Sequence, residues 1–205
     1  MIPYLIIIGC LILLIPYLKT KTYLSVSGIV ILLIGILLVY LRISALKIYP
    51  SRFFVRETFW LTGLVVGVFT VVIISAFIIL KKDKISRLKS PYFWQLLGVY
   101  FFWGFLQQVL FQCVFFETIY FISEGNIIVS LLLSAVYYGS FHLGLYAKRF
   151  FPQTLLLGFI FSGIYLIWGN IFWLGLSHAL LGTFLYVLFF DHNELARQLS
   201  IKTND

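Results

Sequence analysis

The chain has 205 residues, 62% hydrophobic and only 11% charged, which excludes an ordinary soluble domain, where about a quarter of residues are charged. Its apolar runs are long and do not alternate, which excludes a β-barrel and predicts an all-α polytopic membrane bundle. The net charge is +8, but the cations fall in short stretches between apolar runs, a topology signal that requires no nucleic-acid partner.

About 20 apolar residues cross a bilayer, and on that rule the sequence predicts about seven transmembrane helices. The first is Ile2–Leu18, with Pro3 and Pro16 near its ends. It lacks a basic n-region and reads as a retained span, not a cleaved signal. The second is Leu24–Leu41. A basic linker, Arg42–Glu57, follows, and its aromatics Tyr49, Phe53 and Phe54 suit the membrane interface. The third span is Thr58–Leu80, closed by a basic loop holding Lys81, Lys82, Lys84, Arg87 and Lys89.

The fourth helix runs from near Tyr92 to about Ile122. That is roughly 45 Å at 1.5 Å per residue, longer than the hydrocarbon is thick, so it must tilt, bend or follow the interface after Gln112. Ser123–Asn126 is a turn. The fifth span is Ile127–Tyr146, closed by Lys148 and Arg149. The sixth is Pro152–Trp168, and a tight Gly169-Asn170 turn leads into the seventh, Ile171–Phe190. Residues 191–205 form a polar tail. The expected organisation is one membrane domain over 1–205, with scaffold spans in 1–91, a polar-bearing core in 92–190 and the tail beyond.

Loop charge sets the orientation. Lys19, Lys21, the five cations of the third loop, Lys148, Arg149, Arg197 and Lys202 fall on one side, against Arg42, Lys47, Arg52 and Arg56 on the other. The expectation is an integral plasma-membrane protein with its N-terminus outside and its C-terminus in the cytoplasm. Cys10 and Cys113 lie inside apolar segments and read as packed thiols.

Polar side chains concentrate in the last four spans. Gln107, Gln108 and Gln112 lie within six residues of an apolar helix. At α-helical spacing Gly104, Gln108 and Gln112 share one face. The fifth span offers Ser134, Tyr138 and His142 at the same spacing, and the seventh offers Ser177, His178 and Gly182. A buried amide is costly unless paired, so these stripes are expected to meet, with His142 and His178 as partners of the glutamines. Two histidines on apolar helices also serve as plain interhelical hydrogen-bond groups. Haem ligation is a third reading that nothing else in the chain supports. With no nearby cysteine or carboxylate they make a poor zinc site, and no metal or cofactor is expected.

The order QQVLFQ, YGSFH, HALLG resembles the CAAX protease and bacteriocin-processing superfamily (CPBP or Abi; type II CAAX prenyl endopeptidase-like). Its motifs run Glu-Glu-x-x-x-Arg, Phe-x-x-x-His and His-x-x-x-Asn, and the likeness covers roughly Tyr92–Phe190. The resemblance implies an intramembrane endopeptidase acting on a membrane-associated peptide or a lipid-modified protein tail, with membrane lipid as its other partner. It implies that Gln107 stands where the water-activating Glu does, with Gln108 beside it, and that His142 and His178 orient water and oxyanion. Gln112 takes the Arg position, Tyr138 the motif aromatic and Gly182 the Asn position, as pocket residues. Both glutamates are thus amides, which cannot act as a base, and general-base catalysis is worth typically 10²–10⁴-fold. The substitute bases are His142 and His178, since Glu117 is expected near the membrane surface. The alternative is an impaired pseudoprotease serving as a peptide-binding scaffold, an immunity factor or a regulator.

Overall fold

The computed structural model describes residues 52–142 and 151–190. The two predicted N-terminal spans, the end of the fifth and the tail lie outside the described residues. Among those described there is no strand. Four helices are long and apolar enough to cross a membrane, and a shorter apolar one covers Ile127–Gly139. The protein is an all-helical integral membrane protein.

The helices are α1 (Phe59–Leu80), α2 (Pro91–Gln108), α3 (Glu117–Ile122), α4 (Ile127–His142), α5 (Phe151–Trp168) and α6 (Ile171–Phe189). A π-helical segment, Val109–Phe116, joins α2 to α3. Short 3₁₀ helices cover Arg56–Thr58 and Lys82–Lys89. These bounds fall within a residue or two of the predicted ones wherever both ends are described. The α-to-π switch was not legible. Contacts group the chain into two compact units, one containing Arg52–Val109 and the chain from Trp168 on, the other containing Leu110–Ile167.

In the first unit α2 starts cleanly. Ser90 is its N-cap and accepts from the Phe93 amide, and Pro91 holds the first turn, where no N–H is needed. α2 and α6 run antiparallel. Tyr92, Phe93 and Leu96 cluster with Val187 at one end, with Tyr100, Phe184 and Tyr186 against them. At the middle the backbones nearly touch. A Cβ on Gly104 would lie 2.9 Å from the Ala179 nitrogen, and one on Gly175 would lie 2.9 Å from Phe105 Cα. Small residues at such crossings are the usual way membrane helices gain contact, since lipid supplies no hydrophobic drive between them.

α1 packs on α6 through the Trp173 ring, which lies over Gly63, and through Thr70 and Ser177, whose hydroxyls are 2.7 Å apart. Thr70 spends its proton on the Val66 carbonyl, so Ser177 donates to Thr70. The rest of α1 presents Trp60, Leu64, Val68 and Val71 outward as lipid-facing surface.

The start of α6 is held by Asn170. Its Oδ1 accepts from the Val55 amide at 2.8 Å. Its Nδ2 donates to Thr58, Thr62 and the Trp168 carbonyl at 3.0–3.1 Å. The Asn170 and Ile171 amides donate to the Arg52 and Phe53 carbonyls. Gly169 and Asn170 both have positive φ, +69° and 65°, where a β-carbon is disfavoured and Asn is tolerated better than most residues.

In the second unit the rings of Phe111 and Phe115 pack on Tyr138 and Tyr137, with centroids 4.7 Å and 3.8 Å apart. α4 and α5 come close where a Cβ on Gly158 would sit 2.7 Å from Tyr138 Cβ. The Ser123–Asn126 turn forms as expected, with Glu124 and Gly125 at positive φ and the Gly125 amide bonded back to the Tyr120 carbonyl.

The Asn170 contacts give a direct test. Asn170→Gly keeps the backbone freedom and removes only side-chain hydrogen bonds, at an expected cost of about 2 kcal/mol. Asn170→Ala adds the left-handed penalty, about 1 kcal/mol more. Thermal unfolding of the purified chain in detergent checks both the order and the gap.

Candidate functional site

The α2–α6 crossing decides what meets there. Gly104 lets α2 approach the α6 backbone at Ala179, beside His178, and one α-turn along α2 stands Gln108. Gln108 Nε2 donates to His178 Nδ1 at 2.7 Å. Both side chains are buried, at 0% and 4% exposure. With the amide NH₂ facing it, Nδ1 takes the accepting role and the ring proton falls to Nε2. Gln107 is buried beside Gln108, at 4% exposure, and it pairs with no described residue.

Gly182 lies one turn further along α6, and the space beside it is taken. A Cβ at this position would come 2.6 Å from Tyr100 Cε1. The Tyr100 ring fills the volume that any larger residue at 182 would need. The sequence identified Gly182 but gave no sign of its neighbour, because Tyr100 comes from the opposed helix.

In the second unit Gln112 is fully buried, and its Oε1 accepts from Ser162 Oγ at 3.1 Å. Gln108 and Gln112 bond to different helices, Gln108 to His178 on α6 and Gln112 to Ser162 on α5. Tyr138 is buried at 1% exposure among Phe111, Phe161 and Gly158. Ser134, one α-turn before it, is buried, and its hydroxyl finds no hydrogen-bond partner among the described residues. His142 ends α4, and its side chain lies outside the described residues, as does His192.

Glu117 is buried, at 9% exposure. The Tyr165 hydroxyl donates to its carboxylate. Cys113 Sγ lies 3.3 Å from the same hydroxyl. Since Tyr165 has given its one proton to Glu117, the thiol is the donor. The signal was faint: Cys113 and Glu117 stand one turn apart, but Tyr165 and Ser162 come from a distant helix. Among the described residues no group of three or more His, Cys, Asp and Glu could hold a metal ion.

With this geometry in place, residues 89–184 match the family model described as type II CAAX prenyl endopeptidase Rce1-like. The matched segment spans all three motifs, and the resemblance read from them holds over it. No curated protein and no solved structure matches the chain. It is an integral membrane protein with an intramembrane peptidase-like segment.

The contact at Gly182 predicts an asymmetric double-mutant cycle. Gly182→Asn alone should lose about 1–3 kcal/mol from overpacking. Added to Tyr100→Ala, the same change should cost clearly less, because the ring that opposes it is gone. Unfolding temperatures of the native chain, both single variants and the double variant measure the coupling.

Proposed function

We propose that this peptidase-like membrane protein binds a membrane-delivered peptide or lipid-modified protein tail at Gln107, Gln108 and His178, and does not cleave it. One observation carries the reading: the group bonded to His178 Nδ1 is the amide of Gln108, at 2.7 Å. A carboxylate there would accept from Nδ1–H and leave Nε2 bare, able to take a proton from water. The amide does the reverse. It keeps the proton on Nε2, so His178 offers a hydrogen bond to a carbonyl oxygen and no base to a water. The buried Gln107 amide supplies further hydrogen-bonding groups for a peptide backbone, which would offset the cost of burying it.

The neutral site is self-consistent. The family's Glu-Glu and Arg positions hold Gln107, Gln108 and Gln112, so no buried charge is left without its partner. The role that fits is a binding scaffold, immunity factor or regulator. On loop charge the reading places the N-terminus outside the plasma membrane and the C-terminal tail in the cytoplasm.

The experiment is restoration in proteoliposomes, using fluorogenic peptides with and without a prenylated C-terminal cysteine. The native chain should bind peptide without hydrolysing it, and His178→Ala should lose binding. Gln107→Glu with Gln108→Glu should raise hydrolysis by about 10²–10⁴-fold. In ¹⁵N spectra the His178 proton should move from Nε2 to Nδ1 in Gln108→Glu. Hydrolysis by the native chain that vanishes in both His142→Ala and His178→Ala would replace this reading with a working peptidase.

A further inference from the structure

The segment joining α1 to α2 connects two span-length helices through Lys81–Ser90. It therefore lies at one face of the membrane. Within Lys82–Lys89 the chain is 3₁₀-helical.

Two cations fix this segment to the end of α6. Arg87 Nη1 donates to the Phe190 carbonyl at 2.9 Å, and Lys81 Nζ stands 5.2 Å from the centre of the Phe189 ring. Leu88 packs inward against the Tyr92–Val187 cluster. The segment also carries Lys82 and Lys89, both exposed, and Lys84, half-buried. None of the three pairs with a described residue, and Asp83 is the one acid in the segment. Among these lysines Ile85 is 38% exposed.

We propose that Lys82, Lys84 and Lys89, with Ile85, form a docking site for the anionic headgroups of membrane phospholipids. The ammonium groups match the phosphodiester charge. Ile85 sits where an apolar side chain enters the boundary between headgroups and acyl chains. A merely solvated charged loop accounts for the lysines but leaves Ile85 exposed among them. Free phosphate likewise matches the charge and gives Ile85 nothing to contact. Because Arg87 and Lys81 tie the segment to Phe190 and Phe189, an occupied site steadies the C-terminal end of α6, the helix that bears His178. The inference is independent of whether the protein cleaves or binds peptide.

The full chain in neutral detergent micelles is titrated with phosphatidylglycerol, phosphatidylcholine or inorganic phosphate. Retained lipid is read by native mass spectrometry, and the unfolding temperature is followed alongside. Phosphatidylglycerol should be retained and should raise the unfolding temperature, while the other two should do neither. Affinity should fall about fivefold for each lysine removed in Lys82→Ala, Lys84→Ala and Lys89→Ala. It should weaken again between 0.15 M and 1 M salt, over which the screening length shrinks from about 8 Å to about 3 Å. The pair Lys82→Gln with Lys89→Gln, confined to exposed positions, serves as the second variant, and each variant's lipid-free unfolding temperature reports its fold. Unchanged phosphatidylglycerol retention in the folded variants would overturn the proposal. So would an equal shift from inorganic phosphate or phosphatidylcholine.

Discussion

The close approach of α2 to α6 is the constraint on which the functional part of the molecule depends. Gly104 and Gly175 remove the two β-carbons that would hold these backbones apart. Packing this tight does in lipid what hydrophobic burial does in water. It also sets a distance: only with the backbones this close does a glutamine side chain on α2 reach an imidazole on α6. The bond between Gln108 and His178 is a product of the crossing, and its burial strengthens it by removing competing water.

α6 is held at both ends as well as at its middle. Asn170 binds its first turn to the chain at Val55, Thr58 and Thr62. At the far end Arg87 takes up the Phe190 carbonyl, one of the acceptors that the end of a helix leaves unsatisfied. Between these points Ser177 bonds Thr70 on α1. A histidine on a helix so fixed has little freedom to turn.

The buried chemistry of the described chain is neutral almost throughout. Amide meets imidazole at Gln108 and amide meets hydroxyl at Gln112. The carboxyl group of Glu117 is supplied with a donor by Tyr165. The Tyr100 ring occupies the space beside Gly182. Substitutions that leave each buried group either paired or uncharged preserve a polar interior in the membrane at tolerable cost.

The sequence by itself determined the membrane class, the bounds of the described span-length helices and the meeting of Gln108 with His178, because hydropathy, helix period and motif order are local properties of the chain. It also marked Gly169-Asn170 as a turn, since those residue types tolerate left-handed backbone. It could not show that Asn170 gathers the linker around itself, that Ser162 answers Gln112, that Tyr165 answers Glu117 or that Tyr100 blocks position 182. Each of those pairings joins residues tens of positions apart, and their spacing along the chain carries no record of it. The α-to-π switch after Gln108 was hidden for a related reason. Its apolar residues suit either winding, and the choice rests with the neighbours that the helix packs against.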